Sequence, residues 1–207
     1  MDRSYRFWNL LAQRYARTPI ADEQAYQEKL RLICEHLHDK ARVLEFGCGT
    51  GSTAVALAPR CGSYLALDYS ERMVDIGRGK ATEEGLVHLQ FECASITDFE
   101  ASAAAFDTVL GMNVLHLLDD WRETIDKVFA LLAPGGVFCS STACLADMDT
   151  PARHLARLRG LMGFLPRLSV FSHEQLAAKL VDAGFEISHD WQPGENKAVF
   201  IAAFKPD

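Results

Sequence analysis

The sequence predicts an α/β fold: a doubly wound sheet of seven strands, mostly parallel, with helices on both faces. Three observations lead to this prediction. Apolar strand patterns alternate with helical patterns over most of the 207 residues. Alternating glycines, Gly47, Gly49 and Gly51, follow the first strand pattern. The last two strand patterns are separated only by residues 192–197, too few for a helical crossover, which predicts an antiparallel C-terminal strand.

The elements follow from hydrophobic period and from start and stop signals. Two helical patterns come first, at 4–16 and 22–38, and Pro19 lies between them, where a break is expected. Strands are predicted at 41–46, 64–67, 86–92, 106–111, 137–142, 185–191 and 198–204. Helices are predicted among them at 52–58, 71–80, 121–132 and 172–183. Ser70 is a candidate N-cap, and Ser172 with Gln175 forms a capping box.

Residues 143–171 interrupt this alternation, and we expect them to form a lid. Apolar residues recur in the segment at helical spacing and should face inward: Leu155, Leu158 and Met162. Basic residues of the same segment are candidates for holding an acidic substrate: Arg153, Arg157, Arg159 and Arg167.

The composition limits the classes of function. The chain is 49% hydrophobic and 24% charged, with a net charge of −7. This acidic balance argues against nucleic acid and against an anionic membrane surface as partners. No apolar run reaches the roughly 20 residues that cross a bilayer, and the N-terminus lacks a signal-peptide pattern, so a cytoplasmic location is expected. A monomer or a homodimer is expected, and the sequence does not choose between them. The six cysteines are scattered, which favours buried reduced thiols over a metal site.

The glycine turn predicts a site where a bound molecule lies on main-chain N–H groups at the start of a helix. Asp68 ends the second strand, about 20 residues further on, where a carboxylate can accept both hydroxyls of a ribose. A dinucleotide site would need a third glycine where this chain has Ser52. Glu45, just before the turn, would be unfavourable beside a pyrophosphate and useful beside an ammonium group.

These residues resemble those of class I S-adenosylmethionine (SAM) dependent methyltransferases of the small-molecule, Rossmann-like type. The run from Glu45 to Gly51 resembles that family's first motif, and Asp68-Tyr69-Ser70 resembles its second. Pro134-Gly135-Gly136 and the antiparallel last strand also match the family pattern. The resemblance implies a single domain, 1–207. Its N-terminal helices (1–40) would cover the cofactor, and residues 41–142 would form the cofactor-binding core. The lid (143–171) and a C-terminal helix with a β-hairpin (172–207) would follow.

The resemblance also implies roles for single residues. Glu45 would lie near the amino group of SAM, and Asp68 would hold its ribose hydroxyls. The implied cofactor-binding residues are Tyr15, Glu45, Gly47, Cys48, Gly49, Gly51, Asp68, Tyr69, Met73, Ala94, Ser95, Met112 and Asn113. Cys93 occupies a position where the family usually has an acid, so Ser95 or main chain would have to meet the adenine amino group.

The expected reaction is in-line transfer of a methyl group from SAM to a small, partly apolar or acidic acceptor, with S-adenosylhomocysteine (SAH) as the product. Such a transfer depends on alignment and on exclusion of water, and needs a base only for a poorly ionised acceptor. His116 is the candidate base, with a packed histidine beside the cofactor as the alternative. Tyr15 resembles a family tyrosine that covers the SAM carboxylate. An NAD(P)-dependent oxidoreductase and a SAM-binding protein without catalysis remain alternatives.

Overall fold

The computed structural model describes residues 5–149 and 168–207. Seven strands form one sheet in the order β3-β2-β1-β4-β5-β7-β6. The strands are β1 (Arg42–Phe46), β2 (Ser63–Asp68), β3 (Leu89–Cys93), β4 (Phe106–Met112), β5 (Leu132–Thr142), β6 (Glu186–Trp191) and β7 (Val199–Phe204). The helices are α1 (Tyr5–Arg17), α2 (Glu23–Cys34), α3 (Ser52–Leu57), α4 (Glu71–Glu83), α5 (Trp121–Leu131) and α6 (His173–Asp182), with short 3-10 helices at Ala58–Arg60 and Leu115–Leu117.

The strand directions confirm the predicted fold class. β1 to β5 pair in parallel, whereas β7 runs antiparallel to both β5 and β6. The strand order reverses between β1 and β4, so the carboxyl ends of these two strands border a crevice of the kind that binds ligands in open α/β sheets. None of the helices in the described ranges is long and apolar enough to cross a membrane.

Both faces of the sheet are buried under apolar layers. Leu44 of β1 lies in one hydrophobic cluster and its neighbour Val43 lies in the other. Val109 and Leu110 of β4 are divided between the two clusters in the same way. Because successive strand residues point to opposite faces, this division shows that both sides of the central strands are covered, as the parallel pairing requires.

Some boundaries differ from the predicted ones for local reasons. α2 ends at Cys34, not at residue 38, and Leu37 beyond it packs against the core from a turn. Helical spacing in the sequence predicts an apolar stripe of Tyr26, Leu30, Ile33 and Leu37 on α2. The buried residues of α2 are instead Ala25, Lys29, Leu32 and Ile33, so the buried face is rotated from the predicted one. β5 begins at Leu132 and not at Val137, because the strand continues through the Pro134-Gly135-Gly136 segment. The pairing of this segment with β4 is irregular, since the register shifts between Phe106 and Thr108.

Residues 94–105 connect β3 to β4 without a helix. Ile96 and Phe99 anchor this connection in the hydrophobic core beneath it. The Ala94 N–H donates to the Asp68 carbonyl at 3.1 Å, which holds the start of the connection against the end of β2. The segment therefore brings its first residues to the same edge of the sheet as Asp68.

A close approach of α3, α4 and β3 depends on two glycines. A Cβ atom on Gly77 of α4 would lie 2.4 Å from Cε1 of Phe91, and one on Gly51 would lie 2.6 Å from the same atom. Gly51 also has a φ of +73°, in the left-handed region. By contrast, a Cβ atom on Gly79, in the same helix, would have nothing within 4 Å.

We expect Gly77→Ala and Gly79→Ala to change stability in opposite directions. Gly77→Ala should lower the free energy of unfolding by about 1 kcal/mol or more, because its methyl group overlaps the Phe91 ring. Gly79→Ala should raise it by about 0.5–1 kcal/mol, because alanine is the better helix former. Urea unfolding monitored by circular dichroism measures both changes. Equal stabilisation by the two substitutions would show that Phe91 moves aside freely.

Candidate functional site

Two adjoining cavities lie at the carboxyl ends of β1, β2 and β4, and we call them the first and second cavities. Most of the residues predicted to bind the cofactor line the first cavity: Tyr15, Gly47, Gly49, Asp68, Tyr69, Met73, Ala94, Ser95, Met112 and Asn113. Apolar residues that the sequence did not single out complete its wall: Trp8, Phe46, Ile96, Val114, Leu117 and Leu118. The second cavity adds Glu45 and Cys48.

The cavities share a wall and form one elongated crevice. The residues that line both are Tyr15, Gly47, Gly49, Met112 and Asn113. The crevice therefore runs from the end of β2, past the glycine turn, to the loop that follows α1. A ligand with a nucleoside at one end and an amino acid at the other fits this shape.

The glycine turn is tight where it lines the crevice. Gly47 has a φ of +64°, and a Cβ atom there would lie 2.4 Å from Cγ2 of Val114. Gly49 has a φ of +54°, and the Tyr15 ring is the nearest group to the position of its missing side chain. The Cys48 N–H donates to the Leu67 carbonyl at 2.9 Å, which fixes the turn to the end of β2.

Asp68 is held by the main chain on both sides. Its Oδ2 accepts from the Gly49 N–H at 2.9 Å and its Oδ1 accepts from the Ser70 N–H at 2.8 Å. The residue is 8% exposed, and burial raises the pKa of the carboxyl against the lowering effect of these two hydrogen bonds. Each carboxylate oxygen has a second lone pair. The pair of oxygens can therefore accept two neighbouring hydroxyls, as a ribose presents them.

Helix α1 docks on the same motif through a polar contact. The Ser70 hydroxyl donates to Asn9 Oδ1 at 2.6 Å, and Ser70 Oγ also accepts from the Met73 N–H at 3.3 Å as the N-cap of α4. Trp8 and Tyr15, on the same helix as Asn9, line the first cavity. Asn9 was not predictable from the sequence, because nothing in a helical pattern indicates which polar residue contacts the N-cap of another helix.

Glu45 is a buried acid at the second cavity. Its side chain is 1% exposed, and its Oε2 accepts from the Tyr64 hydroxyl at 2.8 Å. Burial raises the pKa of Glu45 to about 8, while the hydrogen bond from Tyr64 acts in the opposite direction. Without a ligand, Glu45 is therefore mostly neutral at pH 7. A cation placed beside it would favour the ionised carboxylate.

Cys93 and Gly51 lie outside the lining of both cavities. Cys93 is exposed because β3 is the edge strand of the sheet, and its thiol approaches the Tyr69 carbonyl at 3.8 Å. The residues that line the cavity beside it are Ala94 and Ser95. Gly51, predicted to contact the cofactor, instead allows the close packing against Phe91.

His116 lies beside the crevice and not in its wall. It belongs to the 3-10 helix Leu115–Leu117, and its neighbour Leu117 lines the first cavity. Its Nδ1 is buried and has no hydrogen-bond partner among the described residues. Burial lowers the pKa of His116 to about 4, so the imidazole is neutral at pH 7.

The expected lid falls largely outside the described residues. Its arginines and its apolar stripe lie between residues 150 and 167, outside the described ranges. The described ends of the segment pack on the core. Phe171 stacks on Trp121 with ring centroids 4.2 Å apart, and Cys144, Leu145 and Met148 are buried.

A family profile described as a methyltransferase domain matches residues 13–190, which include the glycine turn, Asp68 and the end of β4. This chain belongs to the class I SAM-dependent methyltransferase family. Membership of this family excludes the alternative prediction of a nicotinamide oxidoreductase.

Known proteins similar to this chain agree with the match. The 2-heptyl-1-hydroxyquinolin-4(1H)-one methyltransferase of Mycobacteroides abscessus is 33% identical over 66% of this chain and 62% of its own length. The ubiquinone biosynthesis O-methyltransferase of Methylocella silvestris is 29% identical over 69% of this chain, and the matched region covers only 48% of that relative. The geranyl diphosphate C-methyltransferase of Streptomyces coelicolor, solved with SAH, has a TM-score of 0.71 at 15% identity over 87% of this chain and 79% of its own, which shows the shared fold.

The buried acid Glu45 predicts a pH dependence of stability. The folded Glu45 carboxyl, with a pKa of about 8 against 4.5 for a free side chain, binds its proton more tightly than the unfolded one does. Stability should therefore fall as the pH rises towards 8. His116, with a pKa of about 4 against 6.5, acts in the opposite direction mainly below about pH 6.5, and so does His36, whose pKa burial also lowers. These effects fade in the window from about pH 6.5 to 8, where the effect of Glu45 dominates.

We expect Glu45→Gln to flatten the dependence of the melting temperature on pH in this window. The exposed Glu92→Gln, on the edge strand β3 of the same sheet, is the control and should keep the wild-type slope. For one proton the slope is at most about 1.4 kcal/mol per pH unit. Identical slopes for wild type and Glu45→Gln would mean that the carboxyl is already ionised in the folded protein.

Proposed function

We propose that this chain transfers the methyl group of SAM to a small, partly apolar or acidic acceptor. The observation that carries the proposal is the Asp68 carboxylate, fixed by the N–H groups of Gly49 and Ser70 at the wall of the crevice. The crevice thus has a candidate ribose site at Asp68 and a buried acid, Glu45, at its other end.

The lining residues fit SAM along its whole length. Asp68 would accept the ribose hydroxyls, and Glu45 would accept from the amino group. The adenine would lie among Tyr69, Met73, Ala94 and Ser95, and the methionine part would lie against Gly47, Cys48 and Gly49, under Tyr15. When bound, SAM supplies a methyl group already activated by its sulfonium. The chain would then orient the acceptor and exclude water, which are the main requirements of such a displacement.

The acceptor side of the crevice supports a partly apolar substrate. Ile96, Val114, Leu117 and Leu118 contribute apolar side chains to the first cavity, beside Met112 and Asn113 at the end of β4. A relative's name points in the same direction, since 2-heptyl-1-hydroxyquinolin-4(1H)-one combines an apolar tail with a hydroxylated ring. We therefore propose a small hydroxylated aromatic compound as the acceptor class for this chain.

The first test of the function is cofactor binding. At a concentration of 100 times its Kd, SAH should raise the free energy of unfolding of the wild type by about 2.7 kcal/mol and so raise its melting temperature. NADH should leave both unchanged. Asp68→Asn should weaken SAH binding at least about tenfold, because it removes charge and one acceptor from the ribose site. Asp75→Asn is the matched control, since that carboxylate pairs with Arg78 on the surface of α4. No stabilisation of the wild type by SAH would refute the proposal.

A second test addresses the proposed role of His116 as the base. The imidazole is neutral and its Nδ1 has no hydrogen-bond partner among the described residues, which suits a base. The ring lies behind the cavity wall and burial lowers its pKa, which suits the alternative of a packed histidine. Formation of SAH would be followed with a panel of aromatic hydroxyl compounds that includes 2-heptyl-1-hydroxyquinolin-4(1H)-one. His116→Asn should lower kcat by about 10²-fold or more and leave the Kd of SAH unchanged. An unchanged kcat would assign His116 to packing, and tight SAH binding without turnover of any acceptor would favour a non-catalytic SAM-binding protein.

A further inference from the structure

Lys29 carries a charge into the interior of the protein. It lies on the buried stripe of α2 and is 9% exposed. Its Nζ donates to the Ser141 hydroxyl oxygen at 2.8 Å, and no carboxylate of the described residues forms an ion pair with it. Burial lowers the pKa of Lys29, and Asp22 at the N-cap of α2 opposes this effect only in part. A buried ammonium without a carboxylate partner is costly, so its position calls for an explanation.

The hydrogen bonds of Lys29 continue to the crevice. Ser141 is fully buried at the end of β5, and its hydroxyl lies 3.3 Å from Asn113 Oδ1 at the end of β4. Because an ammonium group can only donate, Ser141 accepts from Lys29 and uses its own proton for Asn113. The Asn113 N–H also donates to the Ser141 carbonyl at 2.7 Å. This pairing leaves the NH₂ group of the Asn113 amide to face away from Ser141.

Asn113 presents that amide at the junction of the two cavities. It has a φ of +56°, in the left-handed region, and it lines both cavities. A left-handed asparagine is a strained conformation that the surrounding hydrogen bonds must hold. The chain from Lys29 through Ser141 therefore fixes both the backbone partner and the side-chain orientation of a group in the wall of the crevice.

The second cavity has an acid but no cation of its own. Glu45 is among its lining residues, and none of the described residues that line it is a lysine or an arginine. An amino-acid end bound there brings an ammonium group, which Glu45 can meet, and a carboxylate, which needs a positive field. Lys29 is two hydrogen bonds from the cavity wall, and water screens a buried charge less than an exposed one.

We propose that Lys29 is a positioning residue for the amino-acid end of the cofactor: through Ser141 it holds the Asn113 amide with its NH₂ group towards the crevice, and it adds a positive field for the cofactor carboxylate. Glu45 would meet the ammonium group at the opposite side, so the zwitterion is recognised at both ends. The inference rests on the proposed use of SAM.

Lys80 is the other lysine that could supply a positive field to the second cavity. Its Nζ contacts the Thr50 hydroxyl at 3.3 Å and the Ser52 hydroxyl at 3.0 Å, and both of these residues line the second cavity. Lys80 is more exposed than Lys29, and it reaches the cavity through the start of α3 and not through the ends of β4 and β5. Its field should therefore be more strongly screened.

The test compares two ligands by calorimetry: SAH, and 5′-methylthioadenosine, which keeps the adenosine and the thioether but lacks the amino-acid end. Lys29→Met should weaken SAH binding about tenfold and change 5′-methylthioadenosine binding less than about twofold. Ser141→Ala should reproduce this selective loss, and the double variant should lose little more than either single one. Lys80→Met, the comparison variant, should weaken the two ligands equally or not at all.

The other outcomes overturn the inference in distinguishable ways. Equal weakening of both ligands by Lys29→Met would mean that Lys29 only supports the fold, and unchanged SAH binding would mean that its charge is not felt in the crevice. A selective loss in Lys80→Met alone would assign the role to Lys80. If Lys29→Met does not fold, Ser141→Ala decides by the same comparison. Failure of the wild type to bind SAH would refute the proposed function itself, and the inference with it.

Discussion

The carboxylate of Asp68 joins the two loops that form the crevice, because it accepts from the Gly49 N–H and from the Ser70 N–H at once. The first bond fixes the glycine turn after β1, and the second fixes the start of α4. Ser70 in turn binds α1, because its hydroxyl donates to Asn9 Oδ1. A single buried side chain thus sets the relative position of three elements, and the walls of the first cavity follow from it.

The same arrangement concentrates acidic groups where little water reaches them. Burial raises the pKa of both Asp68 and Glu45, and their mutual repulsion adds to the effect at Glu45. This arrangement opposes folding of the ligand-free chain at alkaline pH. A cationic ligand would reverse the balance, since it stabilises the ionised carboxylates that burial disfavours. A site that is unfavourable when empty is therefore well suited to a ligand with a sulfonium and an ammonium group.

The parts of the site that the sequence could predict are those that depend on local chemistry. A strand that ends in alternating glycines, and an acid at the end of the next strand, leave few geometries open, so Gly47, Gly49 and Asp68 were assigned to the crevice that they line. The different role of Gly51 depends on Phe91, which is remote in sequence.

The features that the sequence did not reveal depend on which way a helix faces. The predicted apolar stripe of α2 contained Tyr26 and Leu30, whereas the structure buries Ala25 and Lys29 instead. A rotation of this size concealed Lys29, the polar residue of the stripe, whose hydrogen bond to Ser141 leads on to Asn113 in the wall of the crevice. A lysine among buried positions of a helix is a usable signal, but only after tertiary packing has fixed the buried face.

The N-terminal helices attach to the site through polar contacts as well as through apolar ones. Asn9 of α1 binds the N-cap of α4, and Lys29 of α2 binds the end of β5. Both contacts end on residues adjacent to groups that line the crevice, namely Tyr69 and Asn113. The position of these helices is therefore coupled to the geometry of the crevice in both directions. A ligand that orders Asp68 and Asn113 would also hold α1 and α2 in place, so we expect these helices, which contribute Trp8, Tyr15 and Tyr26 to the cavity walls, to be stabilised by binding.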